Sequence, residues 1–238
     1  MKFLMGHDKP LIRGKIIDRP NRFTIRAKMG LKIERVYLPN PGKLSTVIAP
    51  GREILCERAM GDKRKTLFSA FAIKVGIFYV TVNSSLANAI FSAAIESGAL
   101  REFRGFSIIS RERSLPAFGR IDFVLNDRDG KPAYVEVKSC THVEGGIAKF
   151  PDRPTERGRR HLRVLTDLAS KGTKCHIVFV VQRPDAKVFK PFRDVDPEFA
   201  DMLMAAAGAG VRIGTIATKF VPPNRIYIVS ENLPVDLN

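Results

Sequence analysis

Residues 119–139 read GRIDFVLNDRDGKPAYVEVKS, and Asp122, Glu136 and Lys138 within them are residue types that together suit phosphodiester chemistry. Carboxylate oxygens hold a hard cation such as Mg2+ (or Mn2+) against a phosphate, and a lysine positions or deprotonates water. The spacing brings the three together only if the segment is a β-hairpin. Two apolar-rich runs, 121–125 and 134–137, flank Asn126-Asp127-Arg128-Asp129-Gly130-Lys131-Pro132, a stretch dense in turn residues. Side chains alternate along a strand, so Glu136 and Lys138 share one face of the second run while Val135 and Val137 share the other. Asp122, between Ile121 and Phe123, joins them if the charged faces of the two strands coincide. An acid followed by Glu-x-Lys also occurs on solvated strands, so the context must come from the rest of the chain.

Charge supplies part of that context. The 238 residues carry 40 Lys and Arg against 24 Asp and Glu, a net +16. Residues 1–82 hold 17 basic and 6 acidic residues, net +11, and residues 83–238 hold 23 and 18, net +5. A field of that sign attracts nucleic acid, an anionic membrane or acidic protein; with no basic amphipathic helix, nucleic acid is favoured. The opening MKFLMGHDKP has too short an apolar stretch for a signal peptide, and no run approaches a membrane span. The expected location is the cytoplasm, with no membrane partner. Cys56, Cys140 and Cys175 are odd in number and far apart, which predicts reduced, buried thiols. His7, His142, His161 and His176 lie in separate segments, against a zinc site.

The first 82 residues alternate short β-runs, 11–17, 23–27, 32–37, 53–58, 67–74 and 77–82, with turn residues. So many strands in so little chain predict a small closed or nearly closed barrel, OB-like, since an open sheet would leave its edges unprotected. Such barrels bind single strands along a basic groove with aromatic platforms. Phe23, Tyr37 and Phe68 are the platform candidates, interleaved with Arg22, Arg26, Arg35, Arg64 and Lys65, although each taken singly reads more readily as core. Segments 38–43 and 60–65 read as turns, the second a cationic tip.

The texture changes near Asn83, which divides the chain into 1–82 and 83–238. A helix is predicted over 83–99, with Ser84 or Ser85 as N-cap and Gly98 near its end. A strand over 107–113 precedes the hairpin, and a loop over 142–150 holding Gly145-Gly146 follows it. A second helix runs from Thr155 to Gly172, capped by Asp152 or Thr155, its exposed side carrying Arg157, Arg159, Arg160 and Arg163. Those side chains would hold phosphates without reading sequence, or form an ordinary solvated face. Residues 177–182 predict a buried strand parallel to its neighbour, followed by a helix over 197–207, a strand over 211–217 and an edge strand over 225–229. The expected class is α+β or α/β: a small N-terminal barrel, then a mixed sheet with flanking helices and the arrangement of the PD-(D/E)XK nuclease fold.

Arg120-Ile121-Asp122-Phe123, Tyr134-Val135-Glu136-Val137-Lys138-Ser139, Phe150-Pro151-Asp152, Thr155-Glu156-Arg157-Gly158 and His161-Leu162 closely resemble the sugar fermentation stimulation protein A family. Pro39-Asn40-x-Gly42 with Leu44, Pro50-Gly51, Val82-Asn83 and Ala87-Asn88 extend the resemblance over nearly the whole chain. It implies an N-terminal OB-fold joined to a PD-(D/E)XK nuclease-like domain that binds DNA through phosphates. Asp122 and Glu136 would be the metal carboxylates, the Val137 carbonyl a further ligand and Lys138 the motif lysine, with Arg120 among the DNA-binding residues. Two nearby carboxylates raise the pKa of a lysine, so positioning and charge stabilisation suit Lys138 better than general base catalysis. Glu112 and Glu96 are the candidates for an accessory acid; residues 111–119 depart from the more polar approach expected of the family, against Glu112. Glu156 would bridge Arg157 or cap its helix, and Asp152 would be a cap rather than a ligand.

The leading expectation is a Mg2+-dependent nuclease with little sequence specificity. The alternative is a non-cleaving DNA-binding regulator of sugar (maltose) metabolism genes, whose nuclease-like domain only holds phosphate or metal; no helix-turn-helix is visible to read bases. A third reading is an RNA-binding barrel with an accessory domain. A second copy of the chain is a candidate partner, and no sugar ligand is implied.

Overall fold

The computed structural model describes residues 1–59, 66–115 and 119–238, with Leu115 described by its backbone alone. The turn expected over 60–65, with Arg64 and Lys65, lies outside the described residues.

After Lys2–Gly6 (β1), five strands close a barrel: Leu11–Asn21 (β2), Thr24–Met29 (β3), Lys32–Tyr37 (β4), Glu53–Arg58 (β5) and Phe68–Val75 (β6). Their order is β4-β3-β2-β5-β6, antiparallel between neighbours, and a parallel pairing of Val36 with Phe68 and Tyr37 with Ser69 joins the ends. Alternation sends Ile25, Ala27, Val36, Ile54 and Ile73 inward, and Leu38, Leu44 and Val47 of the β4–β5 connection join the same core. Closure leaves the barrel with no free edge, the predicted OB-like arrangement.

The second half contains Leu86–Glu96 (α1), Ser107–Leu115 (β8), Gly119–Asn126 (β9), Pro132–Cys140 (β10), Glu156–Ser170 (α2), Lys174–Val181 (β13), Pro197–Gly208 (α3), Arg212–Val221 (β15) and Arg225–Ser230 (β16). Between the two halves runs Phe78–Thr81 (β7), paired along β6 and touching β15 at Tyr79–Phe220, so one continuous sheet crosses both. In it β8, β9 and β10 are antiparallel neighbours, while β10, β13 and β15 run parallel. Helix α1 covers one face through Ile90, Phe91 and Ala94 against Phe123, Val135 and Val178. Helix α2 covers the other through Leu162 and Leu165 against Ile177, Phe179 and Val181, with α3 packed beside it. Residues 177–181 of β13 are thus buried on both faces, which is why that run is continuously apolar. This α-β-β-β-α-β core, with the Asp on its second strand and Glu-x-Lys on its third, is the expected PD-(D/E)XK arrangement.

Two local expectations are corrected. The predicted 142–150 loop is a hairpin, His142–Glu144 (β11) and Ile147–Phe150 (β12), turning at Gly145 and Gly146, both at positive φ. Strand β12 pairs in parallel with Val188–Pro191 (β14), giving a separate three-stranded sheet. Finally, β16 is no edge strand: β1 pairs along its outer side, although nothing local in the opening residues marks them as a strand. Cys56, Cys140 and Cys175 are free and buried, as predicted, and burial pushes each thiol up to about 12. No helix of the described residues is long and apolar enough to cross a membrane.

Candidate active-site cleft

The β9–β10 ladder ends at Phe123–Val135, and Asp122 and Glu136 stand one residue beyond, where the strands part. The Val137 amide, no longer in the ladder, donates to Asp122 Oδ2 at 2.9 Å, and Asn88 of α1 donates to Asp122 Oδ1 at 3.2 Å. Burial raises the Asp122 carboxyl above its ordinary range, and the charge of Glu136 adds to this; the Val137 amide, Lys138 and Asn88 pull the other way without cancelling it.

Glu136 is 1% exposed. Its Oε1 accepts from Lys138 Nζ and from His161 Nδ1 of α2, while Oε2 is buried with no hydrogen-bond partner. Burial alone would raise this carboxyl, but the cationic Lys138 and the His161 bond more than offset it and hold it at about 2. Glu136 is therefore ionised, with one oxygen saturated and the other bare. The three predicted residues do converge, because β9 and β10 turn their charged positions to the same end of the sheet.

These residues floor a cleft of about 580 Å3 between the barrel and the mixed sheet. Arg22 and the 40–42 segment form the barrel-side wall; Arg120, Lys149, Arg153 and Arg157 line the opposite side. The two halves are pinned across it. Leu44, at φ +54, donates its N–H to Asp152 Oδ2 at 2.9 Å, and Arg153 Nη1 donates to the Pro41 carbonyl at 3.0 Å. A Cβ on Gly42 would lie 2.6 Å from both Asp152 carboxylate oxygens, so only glycine permits this approach. Asp152 is a fastener between the halves, not the expected helix cap; Thr155 caps α2, its Oγ1 accepting from Gly158 N at 3.0 Å.

The other expected contacts divide. Arg22, Arg120 and Arg157 line the cleft, Arg22 also lying over the Phe23 ring at 5.4 Å. Phe23 and Tyr37 are exposed, whereas Phe68 packs partly against the barrel core. Arg26 and Arg35 oppose each other on the barrel wall, but Arg26 is engaged by Asp18. Helix α2 does not present one cationic face: Arg159 bonds Asp196 and Glu198, and Arg163 bonds Glu198, so both serve the α2–α3 contact, while Arg160 is exposed. Of the accessory acids, Glu112 lines the cleft but pairs with Arg120 at 3.4 Å, and Glu96 is turned to Arg111 and Ser92, outside the cleft lining. Arg153, Lys149, Asn88 and His161 join the site although no spacing in the sequence marks them as site residues. His161 sits one turn beyond Arg157 in the TERGxxH run, the one local hint that it shares the Arg157 face.

Among the described residues no group of three or more His, Cys, Asp and Glu is placed to hold a metal. The donors on offer are two carboxylates and the Val137 carbonyl. A bare, buried, ionised oxygen on Glu136 beside an Asp122 whose charge is disfavoured fits a hard cation, and Mg2+ needs only one or two protein carboxylates when water and phosphate complete its shell.

Residues 17–82 match a family model described as the SfsA N-terminal OB domain, and residues 85–224 match one described as the sugar fermentation stimulation protein RE domain. A sugar fermentation stimulation protein homolog of Moorella thermoacetica is 40% identical over 206 residues, 85% of this chain and 88% of that protein. One of Methanothermobacter thermautotrophicus is 40% identical over 215 residues, 90% of this chain and 88% of that protein. Among solved structures, that of Pyrococcus furiosus SfsA in complex with Ca2+ is similar with a TM-score of 0.91 and 31% identity, covering 99% of both chains. The chain belongs to the sugar fermentation stimulation protein family.

Proposed function

We propose that this chain binds DNA through its phosphates in the cleft and hydrolyses the phosphodiester with a divalent cation, Mg2+ or Mn2+, held by Asp122, Glu136 and the Val137 carbonyl. The observation that carries the reading is the bare Glu136 Oε2, an ionised oxygen buried beside Asp122 in a cleft whose walls carry Arg22, Arg120, Lys149, Arg153 and Arg157 together with Glu112, Asp152 and Glu156. The similar Pyrococcus furiosus SfsA forms a complex with Ca2+, which supports a hard-cation site at some place in this fold. A cation bound there supplies charge neutralisation at the phosphate and a lowered pKa for water. Arg22, Arg120, Arg153 and Arg157 hold the flanking phosphates, and the paired walls fix the strand over the carboxylates. Lys138, tethered to Glu136, offsets the charge that builds on the phosphate oxygens.

A second reading, DNA binding without cleavage, is favoured by one observation: neither accessory acid is free in the cleft, Glu112 being paired with Arg120 and Glu96 with Arg111. In that case the carboxylates and lysine serve as a metal and phosphate clamp in a regulator.

Incubating plasmid, linear and single-stranded DNA with the protein in Mg2+, Mn2+ or EDTA, beside Asp122→Ala and Lys138→Ala, decides between them. The nuclease reading expects metal-dependent cutting lost in both variants, with low-salt binding retained. Salt-sensitive binding without cutting by any form supports the clamp, and preference for single-stranded RNA in competition overturns DNA as the substrate.

A further inference from the structure

The hydrogen bonds of Glu136 are one-sided: Oε1 takes Lys138 Nζ and His161 Nδ1, and the equally buried Oε2 takes nothing. A carboxylate offers about four lone-pair positions over its two oxygens, and a buried oxygen left bare is costly. Lys138 lies two residues along the same strand, so it moves with Glu136 and cannot by itself fix the carboxylate against the rest of the fold. His161 can, because it reaches across from α2. The residue is 6% exposed, and its ring is held at the far side, where Arg157 Nε donates to Nε2 at 3.4 Å. Arginine is always a donor and the ionised Glu136 always an acceptor, so the proton of this histidine sits on Nδ1.

We propose that His161 is a positioning residue for the cation, a role that rests on Asp122 and Glu136 forming the cation site. It ties down Oε1 so that Glu136 presents Oε2 alone toward the site, and Arg157 in the cleft wall fixes the tautomer and the ring. The chain Arg157–His161–Glu136 then links a group within reach of a phosphate to a metal ligand. The role is that of the outer-shell partners that orient metal carboxylates elsewhere, whose loss costs about 10- to 100-fold in metal affinity.

The test is calorimetric titration of Ca2+ into the metal-free full-length chain at neutral pH, with thermal unfolding in EDTA as the folding control. His161→Ala is expected to weaken Ca2+ binding about 10- to 100-fold. His161→Asn, whose amide overlays ring Nδ1, restores most of it; His161→Gln, whose amide overlays Nε2, does not. Arg157→Ala gives a smaller loss. Wild-type affinity in His161→Ala, or equal affinities in the Asn and Gln variants, overturns the proposal, and the second comparison holds even if His161→Ala does not fold. Absence of Ca2+ binding by the wild type, or binding unaffected by Glu136→Gln, instead sinks the cation-site reading beneath it.

Discussion

At the scale of single residues, the site is an arrangement of unequal carboxylates. Asp122 and Glu136 are the same chemical group, yet one is raised and the other held at about 2. The difference lies in their partners: Glu136 has a lysine and a histidine, Asp122 an amide and an asparagine. Folding favours the ionised form of Glu136, whose ordinary value is 4.5, so the stabilisation it contributes is complete above that value and is lost as pH falls through it to about 2. In EDTA at pH 7, Glu136→Gln is expected to be less stable by about 3 kcal/mol, because Lys138 and His161 lose their anion. Acid titration followed by circular dichroism should show the gap between variant and wild type closing as the pH drops below 4.5. Asp122 has the opposite sign. Asp122→Asn in EDTA should raise stability by about 0.5–2 kcal/mol while abolishing the stabilisation by Ca2+ that the proposed cation site predicts, the usual trade at a functional site; differential scanning calorimetry with and without Ca2+ reads both.

At the scale of elements, the cleft depends on a connection in the barrel being held by a residue of the second half. Asp152 accepts the Leu44 N–H, and Gly42 leaves it room. Asp152→Ala strips a partly buried amide of its partner and is expected to cost about 1–3 kcal/mol in urea unfolding. Gly42→Ala forces a methyl group against the same carboxylate and should cost a similar amount. The double variant should cost less than the sum of the two, because removing Asp152 removes the obstruction. Additive losses would show that the two residues act separately. Helices α2 and α3 are joined by a comparable device: Asp196 caps α3 through Phe199 N, accepts Thr155 N and pairs with Arg159. That is why Arg159 and Arg163, basic residues on the helix that enters the cleft, are structural rather than cleft-facing.

At the scale of the whole molecule, the net charge of +16 becomes a binding surface only where cations face the same space. Plots of DNA affinity against salt should show this selectivity: Arg22→Ala and Arg153→Ala are each expected to lower the slope by about 1, whereas Arg159→Ala leaves it unchanged. The local patterns of the chain determined a great deal. Period-two runs and turn chemistry marked the barrel strands and the Asp122–Glu136–Lys138 hairpin, and the unbroken apolar stretch of β13 marked a strand buried on two faces. These are legible because they depend on neighbours a few residues away. Only the tertiary structure decided which arginines reach the cleft, that β1 covers β16, that Asp152 fastens the barrel, and that His161 completes Glu136. Each of those depends on a partner remote in sequence, and an arginine looks the same in the chain whether its partner in space is a phosphate-sized opening or Glu198.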